Sequence, residues 1–189
     1  MPIQDKGWFK VKGIRPHGDR TLAEQMIGLD LALQAAVGKS VLDLGCAEGL
    51  ISREFALAGA TEVLGIELLY EHLEVAKKVC KDVPQVTFMR ENLTTLANAV
   101  EVPSQFDIVL ALGIIHKIKD PTMAMRFAAR SCKELLAFRP PAYAQNGMVK
   151  SKHSDSYVNV SAVMIAEGFR EGETIAGVRG ESVQYWHRK

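Results

Sequence analysis

The sequence predicts an α/β fold in which a doubly wound, mostly parallel sheet lies between two layers of helices. Two observations support this prediction. Short apolar runs typical of buried strands occur at 41–44, 62–67, 86–90 and 106–113. The stretches between them repeat apolar residues at helical spacing, and strands that alternate with such helices form right-handed βαβ units. We therefore expect a three-layer α/β/α sandwich.

Composition and charge narrow the class of protein. The 189 residues can bury one sizeable core, and 48% hydrophobic with 24% charged residues is ordinary for a globular protein. The formal net charge of +1 argues against a large, uniformly basic nucleic-acid surface. Cys46, Cys80 and Cys132 are widely spaced, which favours reduced, buried thiols over a disulfide or metal site. Without a membrane-length apolar run or a signal-peptide pattern, we expect a cytoplasmic protein.

The chain is expected to divide into an N-terminal arm, residues 1–20, and one domain, residues 21–189. The arm interleaves cationic residues with Trp8 and Phe9. These two aromatic residues either pack on the body of the domain or belong to a flap over a substrate. Thr21 begins a capping box, and the helical spacing that follows predicts one scaffold helix up to Gly38.

A glycine-rich turn follows the first predicted strand. Gly45 and Gly49 permit a tight bend before a helix that begins at about Gly49 or Leu50. Such a bend exposes backbone N–H groups, which suit a carboxylate, a phosphate or the edge of a nucleoside. The second strand ends at Glu67, about the distance after Gly45 at which an acidic residue meets a ribose in nucleotide-binding βαβ units. We expect a ligand that contains a ribose.

The spacing of the glycines discriminates between cofactor classes. A dinucleotide site requires G-x-G-x-x-G, whereas this chain has Gly45-x-Ala47-x-Gly49 and lacks the third glycine. The run from Asp43 to Gly49 instead closely resembles the D-x-G-x-G-x-G motif of the class I S-adenosylmethionine-dependent methyltransferases, with Ala47 in place of the middle glycine. The resemblance covers about residues 20–189. It implies a seven-stranded sheet with an antiparallel last strand, the cofactor S-adenosyl-L-methionine and the product S-adenosyl-L-homocysteine.

Two further segments follow strands of the predicted sheet. Glu91 and Asn92 come after the third strand, where the resembled family has a polar contact to the adenine amino group; Asn92 could equally cap a helix that begins at Leu93. After the fourth strand, the segment that contains His116 and Lys117 resembles the v-L-H-H-l-x-d-P segment of small-molecule methyltransferases and of wobble-uridine tRNA-modifying enzymes. His116 matches the first histidine, and Lys117 replaces the second.

The C-terminal third is predicted to complete the sheet. A fifth strand is expected at 134–138, a loop over the site at 142–155 and a helix from Ser156. Two strands at 173–178 and 182–187 would then form the closing hairpin that the resembled fold has and nucleotide dehydrogenases lack.

The resemblance, together with the positions of single residues along the chain, indicates which residues form the site. A first group is expected to bind the cofactor: Asp43, Gly45, Cys46, Ala47, Gly49, Glu67, Leu68, Glu91, Asn92, Leu93, Leu112 and Gly113. A second group is expected on the substrate side: Trp8, His116, Lys117, Arg139 and His153. No metal site is expected.

His116 is the candidate catalytic residue, because a histidine could act as general base if the acceptor must lose a proton. Its alternative is a structural role. Arg139 could bind a substrate carboxylate or phosphate, or it could pair with an acidic neighbour.

Three functions are consistent with these residues. The first is methyl transfer to a small-molecule acceptor through an oxygen, nitrogen or carbon nucleophile, including an anionic substrate. The second is methylation of an RNA or tRNA base, which the basic N-terminal arm favours and the low net charge opposes. The third is a protein that binds S-adenosylmethionine without turnover.

Overall fold

The computed structural model describes residues 7–11, 18–97, 105–177 and 179–189. Its strands are β1 Ser40–Leu44, β2 Glu62–Glu67, β3 Val86–Arg90, β4 Phe106–Leu112, β5 Cys132–Arg139, β6 Met148–Lys150, β7 Tyr157–Asn159, β8 Phe169–Ala176 and β9 Ser182–Arg188. Its helices are α1 Leu22–Met26, α2 Asp30–Ala35, α3 Leu50–Leu57, α4 Tyr70–Val79, α5 Leu93–Ala97, α6 Pro121–Arg130 and α7 Val160–Ala166.

Seven of these strands form one sheet in the order β3-β2-β1-β4-β5-β9-β8. Neighbouring strands from β3 to β5 are parallel, whereas β9 is antiparallel to both β5 and β8. The predicted seven-stranded α/β/α architecture with an antiparallel last strand is therefore confirmed. Because the order changes direction next to β1, the carboxyl ends of β1 and β4 form a topological switch point, where such sheets bind ligands.

Apolar residues are buried on both faces of the sheet. Consecutive residues of a strand point to opposite faces, so Val109 belongs to one core cluster and Leu110 to the other. The first cluster contains Trp186 and Phe138, and the second contains Phe55. Helices cover both faces, which explains why β1 is buried at all five positions and reads as a continuous apolar run.

The N-terminal and C-terminal regions differ from the predicted elements. Instead of one helix up to Gly38, the chain forms α1 and α2, separated at Gly28, which has φ +83°. The predicted loop at 142–155 contains β6, which pairs with β7. Helix α7 begins at Val160, not at Ser156, because the Asn159 side chain accepts a hydrogen bond from the backbone N–H of Ala162 and caps it. The last residue of the predicted strand at 173–178 lies outside the described residues.

Arg139, at the end of β5, has a structural role. The residue is 3% exposed, and its guanidinium donates to the Gln25 side-chain oxygen at 3.0 Å. It also donates to the backbone carbonyls of Gln25 at 2.8 Å and Ile27 at 3.2 Å. These contacts join the end of α1 to the sheet. The expected role of Arg139 in binding a substrate anion is therefore corrected, because the residue is buried and three of its five N–H donors bind groups of the protein itself.

Replacing Arg139 by methionine should lower the free energy of unfolding by about 3 kcal/mol, because the amide and carbonyls of the α1 end would be left without donors. Urea denaturation of purified variants measures this change. Arg170→Met, at an exposed position of β8, is the matched control and should change stability by less than about 0.5 kcal/mol. Equal losses in the two variants would contradict the bracing role of Arg139.

Candidate active site

Two adjoining cavities lie at the carboxyl ends of β1, β2 and β4. The larger, of about 240 Å³, is lined by Gly45, Ile66, Glu67, Leu68, Leu69, Glu91, Asn92, Leu93, Ile114, Lys117, Ile118 and His153. The smaller, of about 120 Å³, is lined by Trp8, Gly45, Ala47, Glu67, Leu69, His72, Leu112, Gly113, Ile114 and Lys117. The glycine turn, the carboxylate that ends β2 and Lys117 are common to both. Most of the residues expected from the sequence thus meet at one edge of the sheet.

Glycine is required at Gly45 and at Gly49 for different structural reasons. Gly45 has φ +75°, and a Cβ at this position would lie 2.8 Å from the Ile114 side chain, which itself lines both cavities. Gly49 has φ +73°, and a Cβ there would lie 2.9 Å from both Ala76 and Phe88. Gly49 therefore allows the turn to pack closely on α4 and β3, whereas Gly45 allows close approach at the cavities.

Asp43 and Cys46 lie beneath the turn, outside the lining of both cavities. The Ser52 hydroxyl donates to the Asp43 carboxylate at 2.7 Å and so ties the end of β1 to α3. Burial raises the pKa of Asp43 to about 6, the Ser52 hydrogen bond opposes this change, and the Glu67 charge adds to it. Burial also raises the pKa of the Cys46 thiol well above its ordinary value. Both residues support the turn from below.

Glu67 connects the turn to the loop after β2. One carboxylate oxygen accepts from the backbone N–H of Ala47 at 3.1 Å, and the other accepts from Leu68 at 2.8 Å and Leu69 at 3.0 Å. A carboxylate offers about four acceptor positions, so the oxygen that meets Ala47 can accept one more hydrogen bond. Glu67, which carries this oxygen, lines both cavities.

Ala47 adopts a backbone conformation that favours glycine. Its φ of +49° lies in the left-handed region, which costs a residue with a Cβ about 1–2 kcal/mol. Ala47 is 7% exposed and its N–H is held by Glu67, which helps to stabilise this conformation. The departure from the D-x-G-x-G-x-G motif therefore affects backbone conformation as well as the space in the smaller cavity.

Glu48 is a site residue that the sequence analysis missed. It is 3% exposed, and its two carboxylate oxygens accept from the backbone N–H groups of Trp8 at 2.7 Å and Phe9 at 3.1 Å. We call residues 7–11 and 18–20 the strap. Glu48 fastens the strap to the turn, Phe9 enters the core, and Trp8 lines the smaller cavity. No sequence pattern marks Glu48, because it stands at an unspecified position of the motif.

Trp8 contacts two cations. The Lys117 ammonium lies 4.1 Å from the centroid of the Trp8 ring, and the Arg20 guanidinium carbon lies 5.1 Å from it. Both distances are within the range of cation–π interactions. Lys117 thereby joins the strap to the segment after β4 at the junction of the two cavities.

His116 is buried beside the cavities and does not line either of them. It is 6% exposed, its ring packs edge-on against Tyr143 at a centroid distance of 6.0 Å, and its Nδ1 has no hydrogen-bond partner within the described part of the chain. Burial lowers its pKa to about 4, and the charges of Lys152, Lys117 and His153 add to this effect. The histidine is therefore neutral at physiological pH. Its catalytic role stays a prediction.

Asn92 caps a helix and also lines the larger cavity, and its expected contact to adenine stays a prediction. Its side-chain oxygen accepts from the backbone N–H of Thr94 at 2.9 Å and so caps α5. Asn92 also lines the larger cavity together with Glu91, whose carboxylate accepts from the backbone N–H of Asn92 at 2.8 Å. His153 lines the same cavity from the loop after β6.

The buried carboxyl of Asp43 should make stability depend on pH. Its native pKa of about 6 exceeds the unfolded value of about 3.9, so the native state binds the proton more tightly. Stability should fall by on the order of 3 kcal/mol as the pH rises from 4 to 7. Asp43→Asn retains an acceptor for Ser52 and should lose this component, which denaturation at several pH values measures. An identical pH dependence in wild type and variant would refute it.

The hydrogen bonds to Glu48 should protect two backbone amides from hydrogen exchange with solvent. In Glu48→Ala, the amide hydrogen-exchange rates of Trp8 and Phe9 should rise at least tenfold, because both N–H groups lose their acceptor. Exchange resolved by mass spectrometry or NMR measures the effect. Glu54→Ala, on α3, is the control and should leave both rates unchanged. Full protection in Glu48→Ala would show that the strap is held by other contacts.

Neither a membrane-spanning helix nor a metal-binding cluster is found in the described ranges. No helix there combines the length and apolar character needed to cross a bilayer. Within the same ranges, no group of three or more histidine, cysteine, aspartate or glutamate side chains is arranged to hold a metal ion.

Relatives share about half of the chain. The chain is 38% identical over 97 residues to a ubiquinone biosynthesis O-methyltransferase of Pseudomonas putida, a match that covers 51% of this chain and 40% of that protein. The corresponding protein of Escherichia coli is 33% identical over 97 residues, with 51% and 39% covered. The chain thus spans about two-fifths of the length of these curated relatives.

Solved structures share the fold. Magnesium protoporphyrin IX methyltransferase from Synechocystis PCC 6803 with bound S-adenosylmethionine has a TM-score of 0.65 at 20% identity, over 84% of this chain and 74% of that chain. An S-adenosylmethionine-dependent methyltransferase from Mesorhizobium loti has a TM-score of 0.63 at 18% identity, over 85% and 98%. The family described as methyltransferase domain matches residues 41–135, half of the chain. The chain belongs to this family, and the predicted membership of the class I S-adenosylmethionine-dependent methyltransferases is confirmed.

Proposed function

We propose that the chain transfers a methyl group from S-adenosyl-L-methionine to an oxygen of a small-molecule acceptor. The observation that carries the proposal is the pair of cavities that share Gly45 and Glu67. Glu91 and Asn92 line the larger cavity, and Ala47 of the glycine turn lines the smaller one. The ubiquinone biosynthesis relatives are O-methyltransferases by name, which supports oxygen as the acceptor atom.

The residues present fit the cofactor. Leu68 and Leu93 provide apolar contact for adenine in the larger cavity, and Glu91 and Asn92 provide polar groups for its edge. The free acceptor position of Glu67 suits a ribose hydroxyl, as a charge-assisted hydrogen bond.

The methionine part would lie in the smaller cavity. Gly45, Ala47 and Gly113 line part of that cavity with little side-chain volume. At Gly113, which has φ +69°, a Cβ would meet nothing within 4 Å, so open space adjoins this position. The methionine part of the cofactor would fit in this space as it passes the carboxyl end of β4.

The protein's contribution to catalysis is mainly positioning. The cofactor supplies an activated methyl group on a sulfonium, and an acceptor must be held roughly 3 Å from it, in line with the bond that breaks. The strap covers the smaller cavity with Trp8 and limits the access of water. Glu48 keeps the strap in place, and Glu67, which accepts from Ala47 of the turn, would hold the ribose.

A second candidate acceptor is RNA. Tyr143 and Tyr157 are 47% and 52% exposed, and the Lys150 ammonium lies 5.5 Å from the Tyr157 ring. These residues line an open cavity of about 320 Å³ at the β6–β7 sheet. Exposed aromatic rings with a nearby cation suit the stacking of single-stranded bases. Total tRNA in a gel shift tests this candidate, and the absence of salt-sensitive binding would remove it.

A protein that binds the cofactor without turnover is the remaining alternative. The fit of the cavities supports cofactor binding, which this alternative shares with the transferase. Incorporation of tritiated methyl groups from S-adenosylmethionine into extract fractions distinguishes the alternatives. Incorporation supports the transferase, and its absence in every fraction supports the silent binding protein.

Removing the Glu67 carboxylate should weaken cofactor binding. Glu67→Ala should raise the dissociation constant for S-adenosylhomocysteine at least tenfold, because a charge-assisted hydrogen bond to the ribose is lost. Isothermal titration calorimetry measures it, and the melting temperature reports any loss of the backbone contacts of Glu67. Glu71→Ala, on the exposed side of α4, is the control and should bind normally. If wild type bound neither S-adenosylmethionine nor S-adenosylhomocysteine, the proposed function would be wrong.

A further inference from the structure

His72 lies between the two carboxylates that hold the glycine turn. It belongs to the first turn of α4 and lines the smaller cavity. Its Nε2 is 3.7 Å from Oε1 of Glu48, the oxygen that accepts from the backbone N–H of Trp8 in the strap. Its Nδ1 is 4.0 Å from Oε2 of Glu67, the oxygen that accepts from Ala47. One imidazole ring therefore adjoins both the anchor of the strap and the proposed ribose site.

The ring makes neither contact at hydrogen-bond length. The His72 side chain is 16% exposed, and its Nδ1 is buried without a hydrogen-bond partner among the described residues. Buried polar atoms in proteins are almost always hydrogen-bonded, and hydrogen bonds in active sites are often long until a ligand is bound. A phenylalanine would pack in similar space without an unpaired nitrogen. The placement of each ring nitrogen towards one carboxylate indicates a polar role beyond packing.

Cofactor binding would bring the ring and the carboxylates together. Oε2 of Glu67 can accept one more hydrogen bond, which suits a ribose hydroxyl. A ligand there excludes water, and the attraction between a protonated ring and the two carboxylates strengthens as the local dielectric constant falls. Both hydrogen bonds would form once each gap closes by roughly 0.5–1 Å. An imidazolium has two N–H donors, one for each carboxylate, whereas a neutral imidazole has one.

We propose that His72 is a positioning residue that couples the strap to the ribose site, by bridging Glu48 and Glu67 when the cofactor is bound. This inference rests on the proposed function. A ribose at Glu67 then strengthens the hold of Glu48 on the strap, and Trp8 is kept over the smaller cavity. Because coupling between two sites is reciprocal, a closed strap also increases the affinity for the ribose.

Adenosine is the probe that isolates this route. The methionine part of the cofactor could protect the strap by direct contact with Trp8, which lines the smaller cavity, but adenosine lacks that part. Saturating adenosine should slow amide hydrogen exchange of Trp8 and Phe9 in wild type by roughly fivefold or more. In His72→Phe and His72→Ala, saturated in the same way, the two rates should not change.

Two further variants separate the bridge from other effects of substitution. His72→Gln should recover most of the protection, because its amide also has two N–H donors for the two carboxylates. Lys78→Met, at an exposed position of α4, is the control and should behave as wild type. The melting temperature of each variant reports whether it is folded.

A double-mutant cycle measures the same coupling through the ligand. Glu48 lies outside both cavity linings, yet Glu48→Ala should weaken adenosine binding by a factor similar to the slowing of exchange in the strap. In the His72→Phe background, Glu48→Ala should cause no further loss. Isothermal titration calorimetry measures the four affinities. A histidine that only packs within α4 would give additive losses.

Three outcomes would overturn the inference. The first is equal protection of the strap by adenosine in wild type and His72→Phe, and the second is additive affinity losses in the cycle. In the third, wild type binds S-adenosylhomocysteine, but adenosine either fails to bind or leaves both amides unprotected. Binding of S-adenosylhomocysteine to wild type is measured first, and its failure would refute the proposed function instead.

Discussion

The site depends on one carboxylate that accepts backbone hydrogen bonds from two separate segments. Glu67 holds the N–H of Ala47 in the turn after β1 and those of Leu68 and Leu69 after β2. Parallel strands bring these segments to the same edge of the sheet, but they do not fix the distance between the loops. The Glu67 hydrogen bonds help to fix it, together with those that the backbone N–H groups of Gly45 and Cys46 donate to the Ile66 carbonyl. The Glu67 contact also stabilises Ala47 in a conformation that glycine would adopt more readily.

A second carboxylate, that of Glu48, joins the turn to the strap in the same way, by accepting backbone hydrogen bonds. Glu48 is buried and satisfied by the N–H groups of Trp8 and Phe9, some 40 residues away along the chain. A buried carboxylate needs such donors, since leaving it without partners would cost several kcal/mol. The glycine turn is therefore fixed on both sides, by Glu67 towards β2 and by Glu48 towards the strap. The wall of the smaller cavity follows from these two contacts.

Adjacent residues after β4 have different surroundings because of local backbone geometry. His116 and Lys117 belong to one short 3₁₀ turn, Ile115–Lys117, in which successive side chains point about 120° apart. His116 consequently enters the protein beside Tyr143, whereas Lys117 reaches the cavities and the Trp8 ring. The motif places both residues near the site, and the turn decides which one faces it.

The sequence by itself determined the order of strands and helices from β1 to β5, the glycine turn and the position of Glu67, because strand and helix periodicity and the special conformation of glycine are local properties. Only the tertiary structure decided the contacts of Arg139, Glu48 and Lys117. Arg139 looked like an anion-binding residue at a strand end, but α1 folds back onto it and supplies its acceptors. Glu48 and Lys117 both contact the strap, although the strap is distant from them in sequence. Periodicity cannot reveal such contacts, because they depend on how the packed elements close around one another.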